Sequence, residues 1–71
     1  MDIRGVVGGN VRRLRQERGL TQEQLAFDAQ IDLTYLGGIE RGRRNPSLLV
    51  MERLARSLTV EISALVSSAE A

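Results

Sequence analysis

The chain predicts an all-α domain, a compact bundle of five short helices, on three observations. Apolar residues recur at helical spacing in successive stretches. Capping residues open most of those stretches, and glycines or the single proline punctuate them. No run alternates apolar and polar residues as a half-buried strand would. At 71 residues, 42% hydrophobic and 27% charged, residues 1–71 make a single domain around one small core, and no apolar run is long enough for a membrane span.

Val7, Val11 and Leu14 stand at i, i+4 and i+7 among Arg12, Arg13, Arg15 and Arg18, which predicts a first helix over about 8–18, stopped by Gly19. Thr21 with Gln24 three residues on reads as a capping box, opening a second helix over about 22–29 with Leu25, Ala26 and Ala29 on its apolar side. Asp32 caps a third helix, about 33–41, with Tyr35, Leu36 and Ile39 on one face and Gly42 at its end. Breaker residues 41–46 follow, and Ser47 caps a fourth helix whose inward face is Leu48, Met51, Leu54, Ala55 and Leu58. Val60, Ile62, Leu65 and Val66 predict a short fifth helix before a polar, small-residue tail.

The chain has no cysteine and no histidine, so disulfides, thiolate metal sites, cysteine nucleophiles and histidine acid/base chemistry are excluded by inventory. No enzymatic activity, metal, cofactor or small-molecule substrate is expected. The N-terminal residues carry Asp2 and Arg4 and lack the apolar stretch of a signal peptide, which predicts a cytoplasmic protein without a membrane partner. The net charge is only +1, but it is segregated: residues 1–20 and 41–46 are net positive and 21–40 net acidic, every positive residue being arginine.

Two short capped helices joined by a three-residue turn and flanked by arginines form a helix-turn-helix pattern, whose second helix enters the major groove of DNA. Leu20-Thr21-Gln22-x-x-Leu25-Ala26, then Tyr35-Leu36-x-x-Ile39-Glu40-Arg41-Gly42, then Asn45-Pro46-Ser47-Leu48 resembles the lambda-repressor-like, Cro-type (XRE) family of helix-turn-helix regulators over about 7–66. The start of the third helix, Thr34-Tyr35-Leu36, and the loop Arg44-Asn45-Pro46-Ser47 are similar to those of the short controller proteins of restriction-modification systems.

The resemblance implies sequence-specific binding of double-stranded DNA by a transcriptional regulator. It places Leu33, Thr34, Gly37 and Gly38 at base edges, with Gln22, Tyr35, Arg43, Arg44 and Asn45 at phosphates. One such module buries too little surface for tight specific binding, so a homodimer on an inverted-repeat operator is expected, with half-sites about 34 Å apart. Ile62, Leu65 and Val66 supply its interface, together with Val60, Leu49 and Val50, because they offer more apolar surface than so small a core needs. Closing the core against the first helix is the other role open to these residues.

The third helix carries no Arg, Lys, Asn or Gln for a bidentate base contact, so specificity is expected to rest on DNA shape or on Arg43. Gln30 and Thr59 stand where the family commonly has glycine, and Gln30 must either turn left-handed or make a different turn. Arg12, Arg13, Arg15 and Arg18 read equally as DNA flanks or as a solvated face, while Arg53 and Arg56 read as surface. Glu40 is expected to be a structural acid pairing locally, and Phe27 to cover an edge of the core. A different reading stays open at this point: a protein-interaction module, such as an antitoxin, with DNA binding secondary or absent.

Overall fold

The computed structural model describes residues 2–68, which form α1 (Ile3–Glu17), α2 (Gln22–Ala29), α3 (Leu33–Glu40), α4 (Leu48–Leu58) and α5 (Ser63–Val66). No strand occurs among the described residues. Side chains cap four of the five N-termini. Thr21 and Gln24 bond reciprocally, the backbone N–H of Gln24 donating to Thr21 Oγ1 at 3.0 Å and that of Thr21 to Gln24 Oε1 at 2.8 Å. Asp32 accepts from Thr34 N at 2.9 Å, and Ser47 from Val50 N at 3.1 Å. Each such cap satisfies an amide that the helix leaves without an internal partner.

At the start of α1, Asp2 accepts from Arg4 N at 2.9 Å and pairs with the Arg4 guanidinium at 2.7 Å. The side-chain bond from Arg4, reinforced by its backbone N–H, lowers the Asp2 carboxyl from 3.8 to about 2. This cap explains why α1 begins at Ile3, earlier than the expected start near residue 8. Gly5, Gly8 and Gly9 weaken local helix propensity, and packing overrides it. Gly8 lies so close to the end of α3 that a Cβ there would overlap the Ile39 carbonyl oxygen and stand 3.0 Å from that of Glu40.

α1, α2, α3 and α4 end in one way, with a left-handed residue and a backbone N–H reaching back into the last turn. Gly19, Gln30, Gly42 and Thr59 have φ of 69°, 59°, 74° and 59°, and Leu20, Ile31, Arg43 and Val60 donate to Arg15, Ala26, Gly38 and Ala55 at 2.9–3.1 Å. Gln30 therefore takes the left-handed option, within the same turn geometry that glycine gives. For the β-branched Thr59 that conformation costs about 1–2 kcal/mol. Thr59→Gly is expected to stabilise the domain by about 1 kcal/mol, raising Tm by roughly 4–8 °C in a thermal melt. An unchanged or lower Tm would show that Thr59 carries no strain.

The core is Val7, Val11 and Leu14 of α1, Leu25, Ala26 and Ala29 of α2, Leu36 and Ile39 of α3, Met51, Leu54, Ala55 and Leu58 of α4, and Leu65 of α5. Three expectations are corrected. Leu48, placed on the inward face of α4, is 78% exposed, because by helical spacing it stands at the edge of the face that Met51, Leu54, Ala55 and Leu58 bury. Phe27, expected at the core edge, is 84% exposed on the side of α2 opposite Leu25, Ala26 and Ala29. Leu65, assigned to a dimer interface, has no exposed surface at all. It closes the core against α1, where buried Asn10 donates through Nδ2 to the carbonyls of Leu65 at 2.9 Å and Ser67 at 2.8 Å.

Candidate nucleic-acid interface

α3 turns Leu36, Ile39 and Glu40 inward, which by helical spacing leaves Leu33, Thr34, Gly37, Gly38 and Arg41 on its outer side. Leu33 and Thr34 are exposed there. Gly37 and Gly38, which the resemblance places at base edges, are less open than Leu33 and Thr34. Both are buried, Gly37 beneath Arg41 and Gly38 beneath Arg44. A Cβ added at Gly37 would stand 3.2 Å from Arg41 Nη1, and one at Gly38 would stand 2.6 Å from Arg44 Cγ. The Arg41 and Arg44 side chains thus cover the backbone of this part of the helix.

The loop after α3 folds back along it through Gly42. The Arg44 guanidinium carbon lies 5.9 Å from the centre of the Tyr35 ring, within cation–π range. Tyr35 is half-buried against the core. Arg43 and Asn45 are exposed on the same loop. Among the described residues, Arg41, Arg43 and Arg44 form no ion pair, so three cationic groups stand clustered without a counter-charge.

Gln22, at the first position of α2, is held from below. Its Nε2 donates to Glu40 Oε1 at 2.9 Å. Glu40 is fixed by Arg15, whose Nε and Nη2 bond its two oxygens at 2.7 and 3.1 Å, while Arg15 Nη1 donates to the Leu20 carbonyl at 2.9 Å. The Glu40 and Arg15 side chains are only 3% and 12% exposed. Glu40 is thus a structural acid, as expected, but its partners lie on α1 and α2 and not beside it. Because a carboxylate only accepts, Gln22 must present its NH2 to Glu40, leaving its second N–H for another acceptor. Thr21 occupies the N–H of Gln24, so the amides of Gln22 and Glu23 also stand at the positively polarised end of α2.

Of the α1 arginines, Arg15 is structural, Arg13 reaches Glu17 at 3.4 Å and Asn10 at 3.3 Å, and Arg18 reaches the Thr59 carbonyl at 3.4 Å. Arg12 is exposed. Arg56 pairs with Glu52 at 3.6 Å on the surface of α4. Arg41, not among the residues expected at the site, stands seven residues after Thr34 and so on the same face.

A second surface lies away from α3. Leu48, Leu49, Glu52, Arg56, Val60, Glu61 and Ile62 line an open groove of about 650 Å³. Leu49, Ile62 and Val66 are 56%, 40% and 44% exposed. Among the described residues no cluster of acidic groups is arranged to hold a metal ion, and no helix is long and apolar enough to cross a membrane.

The helix-turn-helix family profile matches residues 11–65. The chain is 45% identical over 67 residues to the HTH-type transcriptional regulator y4dJ of Sinorhizobium fredii, covering 94% of this chain and 87% of that protein. It is 47% identical over 60 residues to the immunity repressor protein of Bacillus phage phi105, 84% of this chain but only 42% of the repressor. The structure of the restriction-modification controller protein C.AhdI from Aeromonas hydrophila superimposes with a TM-score of 0.85 at 44% identity, over 87% of this chain and 94% of that one. With the capped α2–turn–α3 unit in place, these matches establish that the chain belongs to the helix-turn-helix family of transcriptional regulators.

Proposed function

We propose that this domain binds an inverted-repeat DNA operator as a homodimer, with α3 in the major groove. The observation that carries the reading is the cluster of unpaired Arg41, Arg43 and Arg44 beside the outer face of α3, with the amide end of α2 at its flank. Leu33 and Thr34 meet base edges, a thymine methyl being the natural partner of either. Gln22, Arg43 and Asn45 meet phosphates, as does the Tyr35 hydroxyl. Such contacts set register and affinity without reading sequence.

The dimer uses the groove beside α4. Leu48, Leu49 and Ile62 supply apolar surface, with Val66 as a flanking contact and Leu65 excluded by its burial. Glu52, Arg56 and Glu61 border that surface with both signs of charge, so a two-fold copy can set Arg56 against the acids opposite. The domain acts in the cytoplasm, free of cofactors and catalytic activity, and responds to its own concentration through dimerisation.

Selection of bound sequences from random duplex DNA at about 150 mM salt tests the whole reading, since non-specific phosphate binding is suppressed there. An enriched inverted repeat with half-sites about one helical turn apart is expected. No enrichment by folded protein would sink it and leave the groove as the main binding surface, serving a partner protein. Arg43→Ala is expected to weaken binding to operator and random DNA alike, and to lower the salt slope by about one. A loss confined to one base pair would make Arg43 a reader instead.

A further inference from the structure

The groove beside α4 has two walls of different origin. Leu48, Leu49, Glu52 and Arg56 come from α4, while Val60, Glu61 and Ile62 come from the segment leading into α5. α5 packs mainly on α1 and only lightly on α4, so a third helix decides how the two walls stand. It also supports itself poorly, having four residues and no side-chain cap at its N-terminus. Leu65 pins it to the core at one point, about which so short a helix can pivot. Asn10, a buried side chain of α1, supplies the second pin. Its Nδ2 donates to the carbonyls of Leu65 at 2.9 Å and Ser67 at 2.8 Å, at the end of α5, where carbonyls lack intrahelical donors. Its Oδ1 accepts from Arg13 Nη2 at 3.3 Å, which turns the amide so that both N–H groups face α5.

We infer that Asn10 is a positioning residue for self-association: from inside the protomer it fixes α5, and with it the wall carrying Ile62 and Val66, against the wall formed by α4. The inference rests on the dimer reading above and adds to it a residue that lies outside the contact surface. Three features support it. A buried amide is costly unless its hydrogen bonds are made, and all three of those on Asn10 serve to hold α5 in one pose. The two carbonyls it grips are two residues apart, so together with Leu65 they stop both pivoting and rotation of the helix. With Leu65 turned inward in that pose, Ile62 and Val66 are left exposed. Without the grip, ordering α5 becomes part of the cost of association.

Two variants of the full chain separate this role from simple packing. Asn10→Ala removes both donors, and Asn10→Leu removes them while refilling the volume. Sedimentation equilibrium is expected to show the dimer dissociation constant rising about 5- to 150-fold in both, the worth of two hydrogen bonds, with helicity retained. Relaxation of backbone 15N nuclei, measured at concentrations where every protein is monomeric, supplies the second readout. Order parameters over residues 63–67 should fall from about 0.85 to below about 0.6, while α2, α3 and α4 stay rigid. A residue that merely holds up the core would lower Tm and leave α5 of the folded molecules as rigid as in wild type, and that outcome overturns the inference. So does a wild-type dissociation constant in Asn10→Leu, because filling the volume would then suffice, and so does failure of both variants to fold. A wild-type chain that stays monomeric at every concentration overturns the dimer reading itself, an outcome distinct from these.

Discussion

Leu65→Glu is expected to unfold the domain. A chain of 71 residues has a stability of only about 4–11 kcal/mol by the usual range per residue. Leu65 is fully buried at the junction of α1 and α5, and truncating such a leucine to alanine costs about 2–5 kcal/mol. Glutamate adds a carboxyl with no partner in an apolar site, which must be neutralised or dragged to solvent. It also threatens the two bonds from Asn10 that fasten α5, a helix of only four residues. Far-UV circular dichroism at 25 °C should show most helicity lost, and Leu65→Ala should give a graded loss in urea. Ile62→Glu serves as the contrast: the side chain is 40% exposed, so folding should change by no more than about 0.5 kcal/mol while the dimer dissociates in light scattering. A folded, monomeric Leu65→Glu would return Leu65 to the interface.

Gly8→Ala is expected to destabilise by about 1–3 kcal/mol, although the same change elsewhere in α1 should do the reverse. The methyl group would collide with the carbonyl oxygens of Ile39 and Glu40, backbone atoms that yield only if α1 and α3 separate. Nothing lies within 4 Å of a Cβ at Gly5 or Gly9, so alanine there should add up to about 1 kcal/mol through helix propensity alone. Three identical substitutions in one helix thus differ in sign, and thermal melts of the set compare contact with propensity directly. If Gly8→Ala melts with or above Gly9→Ala, the helices are not in such close contact.

The α2–turn–α3 unit was legible because its signals are local. Thr21 with Gln24, and Asp32 before Leu33, announce their helices within four residues. The first turns of α1 were hidden because Gly5, Gly8 and Gly9 dilute the helical signal, and the one glycine with a packing reason, Gly8, finds it in α3, more than thirty residues away along the chain. The partners of Glu40 lie 25 and 18 residues from it, so no short window contains them. Leu65 and Val66 are neighbours with opposite fates, and a four-residue helix is too short for periodicity to say which turns inward. The exposure of Phe27 was readable, since it falls on the far side of α2 from Leu25, Ala26 and Ala29. The cover over Gly38 was not, because it comes from a side chain beyond the helix, carried there by the turn at Gly42.

Glu40 also bears on the thermodynamics of association. Its carboxylate joins α1 through Arg15 and α2 through Gln22 while belonging to α3, so these three helices cannot swing independently without breaking a nearly dry ionic contact. The conformational entropy of setting the reading helix against its support is therefore lost during folding, before any partner arrives. Docking on DNA then orders chiefly exposed side chains. An excised α2–α3 hairpin, lacking Arg15, would meet that ordering cost at the moment of binding and should associate far more weakly than the intact domain.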